Sequence, residues 1–283
     1  GYARRDENGV TELMLEDARV TGLVKAEDSD TFVWSQERYD DSPDLFVSGG
    51  DMEGRQVSET NAFLDEFHWG RSELVYFTST TGVDLQGSLT YPANYEAGKQ
   101  YPMLVYIYEL RSQDLHRCAT PRETSAYSPA VFSAEGYFVF QPDIVYRAQN
   151  PGLSAKECIE PAVAKVLESG MVDPARVGLV GHSWGAYQTA FMLTHSDVFA
   201  AGVAGAPLTN MMSMSMSIYW NSGQTDTWIF HESQGRMDKP FWNDVATYIA
   251  NSPIFGIENL KNPLLVAFGD DDGAVDFNPG VEM

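Results

Sequence analysis

Basic residues, cysteines and long apolar runs are all scarce in this sequence. Lys and Arg total 18 against 40 Asp and Glu, a formal net charge of −22. A surface of that sign repels a polyanion, so no nucleic-acid partner is expected. No stretch approaches the ~18 consecutive apolar residues of a membrane span, so no membrane partner is expected either. The first ten residues, GYARRDENGV, lack the apolar core of a signal peptide. Two cysteines, Cys118 and Cys158, are too few for a disulfide framework and match no zinc spacing. One disulfide between them stays open, and with it the compartment, whether cytoplasmic, periplasmic or secreted. What is plentiful is core-forming material: 43% of residues are hydrophobic and 12% aromatic, which excludes wholesale disorder. The expectation is an acidic, soluble, globular protein whose 283 residues make two domains or one large one.

Along the chain, residues 1–65 read as short strands between turn signals. Val20–Lys25, Thr31–Gln36, Leu45–Ser48 and Arg55–Glu59 are β-prone, with Glu27-Asp28-Ser29-Asp30, Asp40-Asp41-Ser42-Pro43 and Gly49-Gly50-Asp51 between them. Strands at this spacing predict an antiparallel sheet. Four of them would make one blade of a β-propeller, which cannot bury its faces alone. A hairpin follows, Glu73–Ser79 and Val83–Tyr91, turning at Thr81-Gly82. From about residue 101 the pattern changes to α/β. Met103–Tyr108 and Tyr137–Phe140 are continuous apolar runs of the kind that form strands buried on both faces. Ser154-Ala-Lys-Glu157 reads as a capping box opening a helix towards Gly170, with Pro161 predicting a kink or a late start. Strands at Val177–Val180, Ala200–Ala204 and Leu264–Phe268 and a helix at Ala186–Thr194 complete a mostly parallel sheet covered by helices.

The strongest motif is Gly181-His182-Ser183-Trp184-Gly185, a G-x-S-x-G for which chance gives about 0.1 matches in a chain this long. Its setting adds weight, because a buried-type strand precedes it and a helix follows. Such a strand–turn–helix needs small flanks, since the serine backbone is strained and a Cβ on either side would clash. Ser183 is therefore the expected nucleophile. The Trp184 N–H, at the start of the helix, is placed to face an oxyanion.

Several stretches besides this elbow resemble the prolyl oligopeptidase family of serine peptidases, close to its dipeptidyl peptidase IV and acylaminoacyl-peptidase branches. They are Leu89-Thr-Tyr-Pro-Ala-Asn-Tyr, Lys99-Gln-Tyr-Pro-Met-Leu-Val-Tyr-Ile-Tyr-Glu109, Gly170-Met-Val-Asp-Pro-Ala-Arg-Val, Gly205-Ala-Pro207 and Gly269-Asp-Asp-Asp-Gly-Ala-Val-Asp-Phe-Asn-Pro-Gly. The resemblance implies an α/β-hydrolase catalytic domain over residues 66–283, preceded by the end of a β-propeller over residues 1–65, with most of the propeller outside this sequence. It implies that Tyr108 supplies a second oxyanion donor, although an aromatic in a run already holding Tyr101 and Tyr106 also has an ordinary packing role. It places the triad carboxylate on Asp272, with Asp271 as the fallback. Three adjacent carboxylates do not all become buried and ionised, so at most one of Asp270, Asp271 and Asp272 meets a histidine.

A serine hydroxyl needs a base, and in this fold the order is Ser, Asp, His. All five histidines, His68, His116, His182, His195 and His231, precede Asp272. His182 adjoins the nucleophile and should point away from it. His195 ends a helix and reads as a cap, His116 as a surface residue, and His231 lies in an irregular insertion. The triad histidine is accordingly expected beyond Met283.

The insertion between Gly205 and Leu264 carries Met211, Met212, Met214 and Met216, a spacing typical of core or adaptable lining. The resemblance puts Val275 in the pocket for the residue before the scissile bond, with Tyr219 and Trp220 as approximate matches. A serine peptidase cutting oligopeptides after a compact apolar residue such as proline or alanine is the expectation, needing no metal or cofactor. A carboxylesterase on the same fold and a non-catalytic binding protein are the alternatives. The resemblance is compatible with a homodimer.

Overall fold

The computed structural model describes residues 1–7, 9–120 and 127–283. The chain separates into two compact units. One comprises Gly1–Glu73, Thr90–Tyr95 and Gln113–Gly136, the other Leu74–Leu89, Glu96–Ser112 and Tyr137–Met283.

In the first unit, β1 (Tyr2–Asp6) and β2 (Gly9–Met14) form an antiparallel hairpin. This hairpin is not among the strands expected from the sequence. Its register pairs Asp6 with Gly9, and Gly9 opens β2 at φ 124°, a conformation that favours glycine. The next four strands, β3 (Arg19–Lys25), β4 (Phe32–Arg38), β5 (Asp41–Ser48) and β6 (Arg55–Gln56), build an antiparallel sheet in sequential order, as expected. Two boundaries differ. Arg38 pairs with Asp41, so the turn is only Tyr39-Asp40 and β5 begins early; Pro43, which cannot donate to a ladder, falls where the register breaks. β6 ends early because side chains take over its hydrogen bonds. Ser58 Oγ accepts the Leu45 N–H at 2.8 Å, and Asp44 gathers Gln56, Ser58 and Thr60 at 2.8–2.9 Å. Trp34 and Phe46 face each other across β4 and β5 and stack with centroids 6.0 Å apart. The short helix α1 (Pro129–Ala134) also belongs to this unit.

The second unit is a seven-stranded sheet in the order β15-β12-β11-β9-β10-β8-β7. Its strands are β7 (Ser72–Thr78), β8 (Asp84–Thr90), β9 (Tyr101–Ile107), β10 (Phe138–Pro142), β11 (Val172–His182), β12 (Ala201–Gly205) and β15 (Leu264–Ala267). The two-stranded ribbon β13 (Ile218–Tyr219) and β14 (Gln224–Thr225) lies in the insertion. Pairing is parallel from β10 through β9, β11 and β12 to β15, as the run-like apolar strands predicted. Val105, Ile107, Phe138, Phe140, Val177 and Leu179 are fully buried along it.

The principal helices are α2 (Pro151–Leu167) and α3 (Trp184–His195), followed by the short α4 (Met211–Ser215), α5 (Thr227–His231), α6 (Val245–Ala250) and α7 (Asn278–Glu282). The expected capping box at Ser154 is not the start of α2. Proline is favoured in the first turn of a helix, and Pro151 opens it three residues earlier. Ser154 Oγ instead accepts the Arg147 N–H at 3.0 Å. The helix also runs through Pro161. The carbonyl that Pro161 cannot bond, that of Glu157, accepts the Thr80 N–H at 3.0 Å, so the missing intrahelical bond leaves no orphan.

Cys118 and Cys158 are free thiols, and burial pushes both up, Cys118 to about 11. Among the described residues no helix is long and apolar enough to cross a membrane.

Candidate active site

Parallel sheets present their carboxyl ends to ligands, and the site gathers there. β11 ends at His182, α3 begins at Trp184, and Ser183 is the one residue between them, with φ 54° and ψ −117°. That conformation costs a non-glycine residue about 1–3 kcal/mol and persists only where its surroundings enforce it. Here the Ser183 N–H donates to Gly205 O at 2.8 Å, and its carbonyl accepts from Ala186 and Tyr187 at 2.9 and 3.0 Å. The flanking glycines are required by the backbone. A Cβ on Gly181 would lie 2.1 Å from Gly185 O, and one on Gly185 would lie 2.2 Å from Ile107 O.

Ser183 opens into a cavity of about 600 Å³ that Trp184, Tyr108, Tyr219 and Val275 also line. Trp184 stands at the first position of α3, where a helix leaves its N–H groups without intrahelical partners. Tyr108 follows β9. Its phenol oxygen accepts from Gln234 Nε2 at 3.3 Å, which leaves its own O–H to donate.

Two of the residues expected from the sequence are not among those lining this cavity. Trp220 is 62% exposed and does not line the cavity. It is the residue after Tyr219, and consecutive side chains at a strand end point to opposite sides. Asp272 is half-buried but is also absent from the lining. Its Oδ1 accepts the Ala274 and Val275 N–H groups at 2.8 and 3.1 Å, folding the carboxylate back onto its own loop. Those bonds are what set Val275 in the wall. Of the methionines, Met211 and Met214 are core residues, Met214 also lining the cavity, while Met216 is exposed.

Among the described residues no histidine lines the cavity. His182 is exposed. His195 stacks on Phe191, centroids 4.0 Å apart, and its Nδ1 lies 3.0 Å from the Phe191 carbonyl, the helix-end role expected of it. His231 lies 3.6 Å from Glu232 and His116 lies 3.3 Å from Asp17.

Several groups at the site carry no recognisable signal in the sequence. Tyr146, just beyond β10, donates its hydroxyl to the Tyr108 carbonyl at 3.0 Å and accepts from Trp184 Nε1 at 3.3 Å and from Gln188 Nε2. Burial pushes its phenol far above the usual range. Arg236 bonds Glu109 at 3.0 Å and lies 4.2 Å over the Tyr146 ring. Asp143 accepts the Arg111 and Ser112 N–H groups at 2.6 and 2.8 Å, holding the loop after Tyr108. The available hint was position alone: these residues sit at the carboxyl ends of strands or in the insertion over them.

Residues 146–283 match the model of the prolyl oligopeptidase family. This part of the chain is similar to the prolyl oligopeptidase family. Among curated relatives, the probable chloroplastic glutamyl endopeptidase of Oryza sativa subsp. japonica is 25% identical over 218 residues, 71% of this chain and 22% of that protein. The acylamino-acid-releasing enzyme of Arabidopsis thaliana is 31% identical over 134 residues, 45% of this chain and 16% of that protein. Among solved structures, the Pyrococcus horikoshii acylaminoacyl peptidase superposes with a TM-score of 0.76 at 18% identity, over 98% of this chain and 44% of that one. Porphyromonas gingivalis dipeptidyl peptidase 4 gives 0.75 at 19% identity, over 99% and 40%. These likenesses show an α/β-hydrolase-like fold. The chain spans about a fifth of the length of those curated relatives and about two fifths of those solved chains.

Proposed function

We propose that this chain carries the nucleophile and oxyanion hole of a serine peptidase that hydrolyses oligopeptides through an acyl-enzyme. The observation that carries this reading is the strained backbone of Ser183, held at the mouth of α3 in a cavity that it shares with Tyr108 and the start of that helix. Non-glycine strain of this kind concentrates at functional sites, and the similarity of residues 146–283 to the prolyl oligopeptidase family supports the chemistry.

In the proposed mechanism, Ser183 Oγ attacks the peptide carbonyl while its proton passes to a base. The carbonyl oxygen becomes an oxyanion facing the Trp184 N–H and the Tyr108 O–H. Collapse breaks the C–N bond, the base returns the proton to the leaving amine, and water then hydrolyses the acyl-enzyme. The base is not one of the five histidines of residues 1–283, and Asp272 is proposed as its orienting partner. Val275 and Tyr219 supply an apolar wall suited to a compact residue such as proline or alanine. Residues 1–65 are proposed as the last part of a β-propeller and residues 66–283 as the catalytic domain; the antiparallel four-stranded meander β3–β6 has the form of one blade.

The test is a fluorophosphonate probe on the full-length protein, followed by peptide mapping and by turnover of a peptide anilide beside a small ester. An adduct on Ser183 with amide turnover is expected. Ester turnover alone would replace the peptidase by an esterase. Absence of any adduct on the folded, full-length protein would favour a binding protein.

A further inference from the structure

One charged group in the Ser183 cavity has no role in the chemistry above. Asp226 lies at the start of α5, lines the cavity, and is 1% exposed. Its main chain is pinned: the N–H donates to Ser217 O at 3.0 Å and the carbonyl accepts from Ile229 at 2.9 Å. Its side chain does not cap α5, and Oδ1 is enclosed with no hydrogen-bond partner. An enclosed carboxylate without donors is costly, and proteins retain one where something else supplies the donor. The cation already present does not, because Arg236 is engaged with Glu109 and with the Tyr146 ring. Around Asp226 the same cavity is lined by Met214, Tyr219, Trp228, Phe230 and Val275, walls that suit a methylene stem and leave the carboxyl as the polar end.

We propose that Asp226 is a specificity residue that receives a primary ammonium group of the substrate inside the Ser183 cavity, either a lysine side chain or a free peptide α-amine. As a substrate contact this rests on the peptidase reading; as a cation site it does not need catalysis. Burial and the neighbouring Asp276 raise the Asp226 carboxyl to about 6, so an ammonium group would meet it ionised at pH 8 and largely protonated at pH 5. The other titratable groups around the cavity are Glu109, Arg236, Tyr108 and Tyr219, and Glu109 is already paired.

The experiment is calorimetric binding to the full-length protein of two matched pairs. Acetyl-lysinamide against acetyl-norleucinamide reads a side-chain amine, and alaninamide against acetyl-alaninamide reads an α-amine. At pH 8 the ammonium member of one pair should bind about tenfold or more tightly, the usual worth of a charged hydrogen bond. Which pair shows the preference identifies the source. The preference should shrink at pH 5 and disappear in Asp226→Asn at both pH values. Equal affinities within both pairs, a preference unchanged at pH 5, or a preference that survives in Asp226→Asn would overturn the proposal. Because binding is read directly, an inert Ser183 in the fluorophosphonate assay would sink the peptidase reading without deciding the cation site.

Discussion

The Tyr146 hydroxyl donates to the main-chain carbonyl of Tyr108 at 3.0 Å. The same oxygen receives the indole N–H of Trp184, so one buried phenol ties the end of β9 to the first residue of α3. The two proposed oxyanion donors, Tyr108 and Trp184, are thus registered by a third residue that need not touch substrate. Removing that hydroxyl in Tyr146→Phe leaves the Trp184 and Gln188 donors and the Tyr108 acceptor unsatisfied. The expected cost is about 2–4 kcal/mol in urea unfolding, from groups each worth about 1–3 kcal/mol when stranded. A cost below ~0.5 kcal/mol would show that the phenol ties nothing together.

Tyr108→Phe removes a donor that is not consumed among the described residues, where the phenol oxygen accepts from Gln234. Stability should change by less than about 1 kcal/mol, while kcat for a peptide anilide falls about 10²–10³-fold with KM little changed. An unaltered kcat would remove Tyr108 from the oxyanion hole and return it to packing.

Strain at Ser183 separates two replacements of this proposed nucleophile. Ser183→Ala keeps a Cβ at φ 54°, whereas Ser183→Gly relieves it. Both should lose fluorophosphonate labelling, and the glycine variant should be the more stable of the two by about 1 kcal/mol or more in thermal unfolding. Equal stabilities would mean that the backbone there is relaxed.

At the glycines the opposite holds. Gly181→Ala and Gly185→Ala each press a methyl into main-chain oxygen at 2.1–2.2 Å, with no flexible side chain to yield. Each should destabilise by about 3 kcal/mol or abolish folding, measured by chemical denaturation. Wild-type stability in either variant would contradict the tight crossing of β9, β11 and α3.

Asp226 also has a signature in the pH dependence of stability. Its folded carboxyl, raised to about 6 from an ordinary 3.8, binds a proton more tightly than in the unfolded chain. Between those values the unfolded state holds fewer protons, so this group's contribution favours the fold below pH ~4 and is lost as pH rises through about 6. Asp226→Asn should therefore match wild type near pH 4 and exceed it by up to ~3 kcal/mol at pH 8. A gap that does not depend on pH would show that the carboxyl is not strained by burial.

The α/β sheet and the sharp turn at Ser183 were legible because their causes are local. Alternating and continuous apolar runs fix which segments become strands, and a serine between glycines after a buried strand admits little but a sharp turn. Boundaries moved where tertiary partners intervened. Pro161 stays inside α2 because Thr80, eighty-one residues earlier, takes the carbonyl it frees, and no pattern within the helix shows that.

What the sequence alone determined was the α/β layout and the sharp strand–helix turn at Ser183. Only the tertiary structure decided that Trp220 faces away, that Asp272 Oδ1 accepts from its own loop, that Tyr146 joins Tyr108 to Trp184, and that Arg236 and Asp226 line the cavity. The reason is physical. Backbone preference and hydrophobic period are properties of neighbouring residues, whereas the partners of a buried polar group come from distant parts of the chain and are set only when the sheet closes over them.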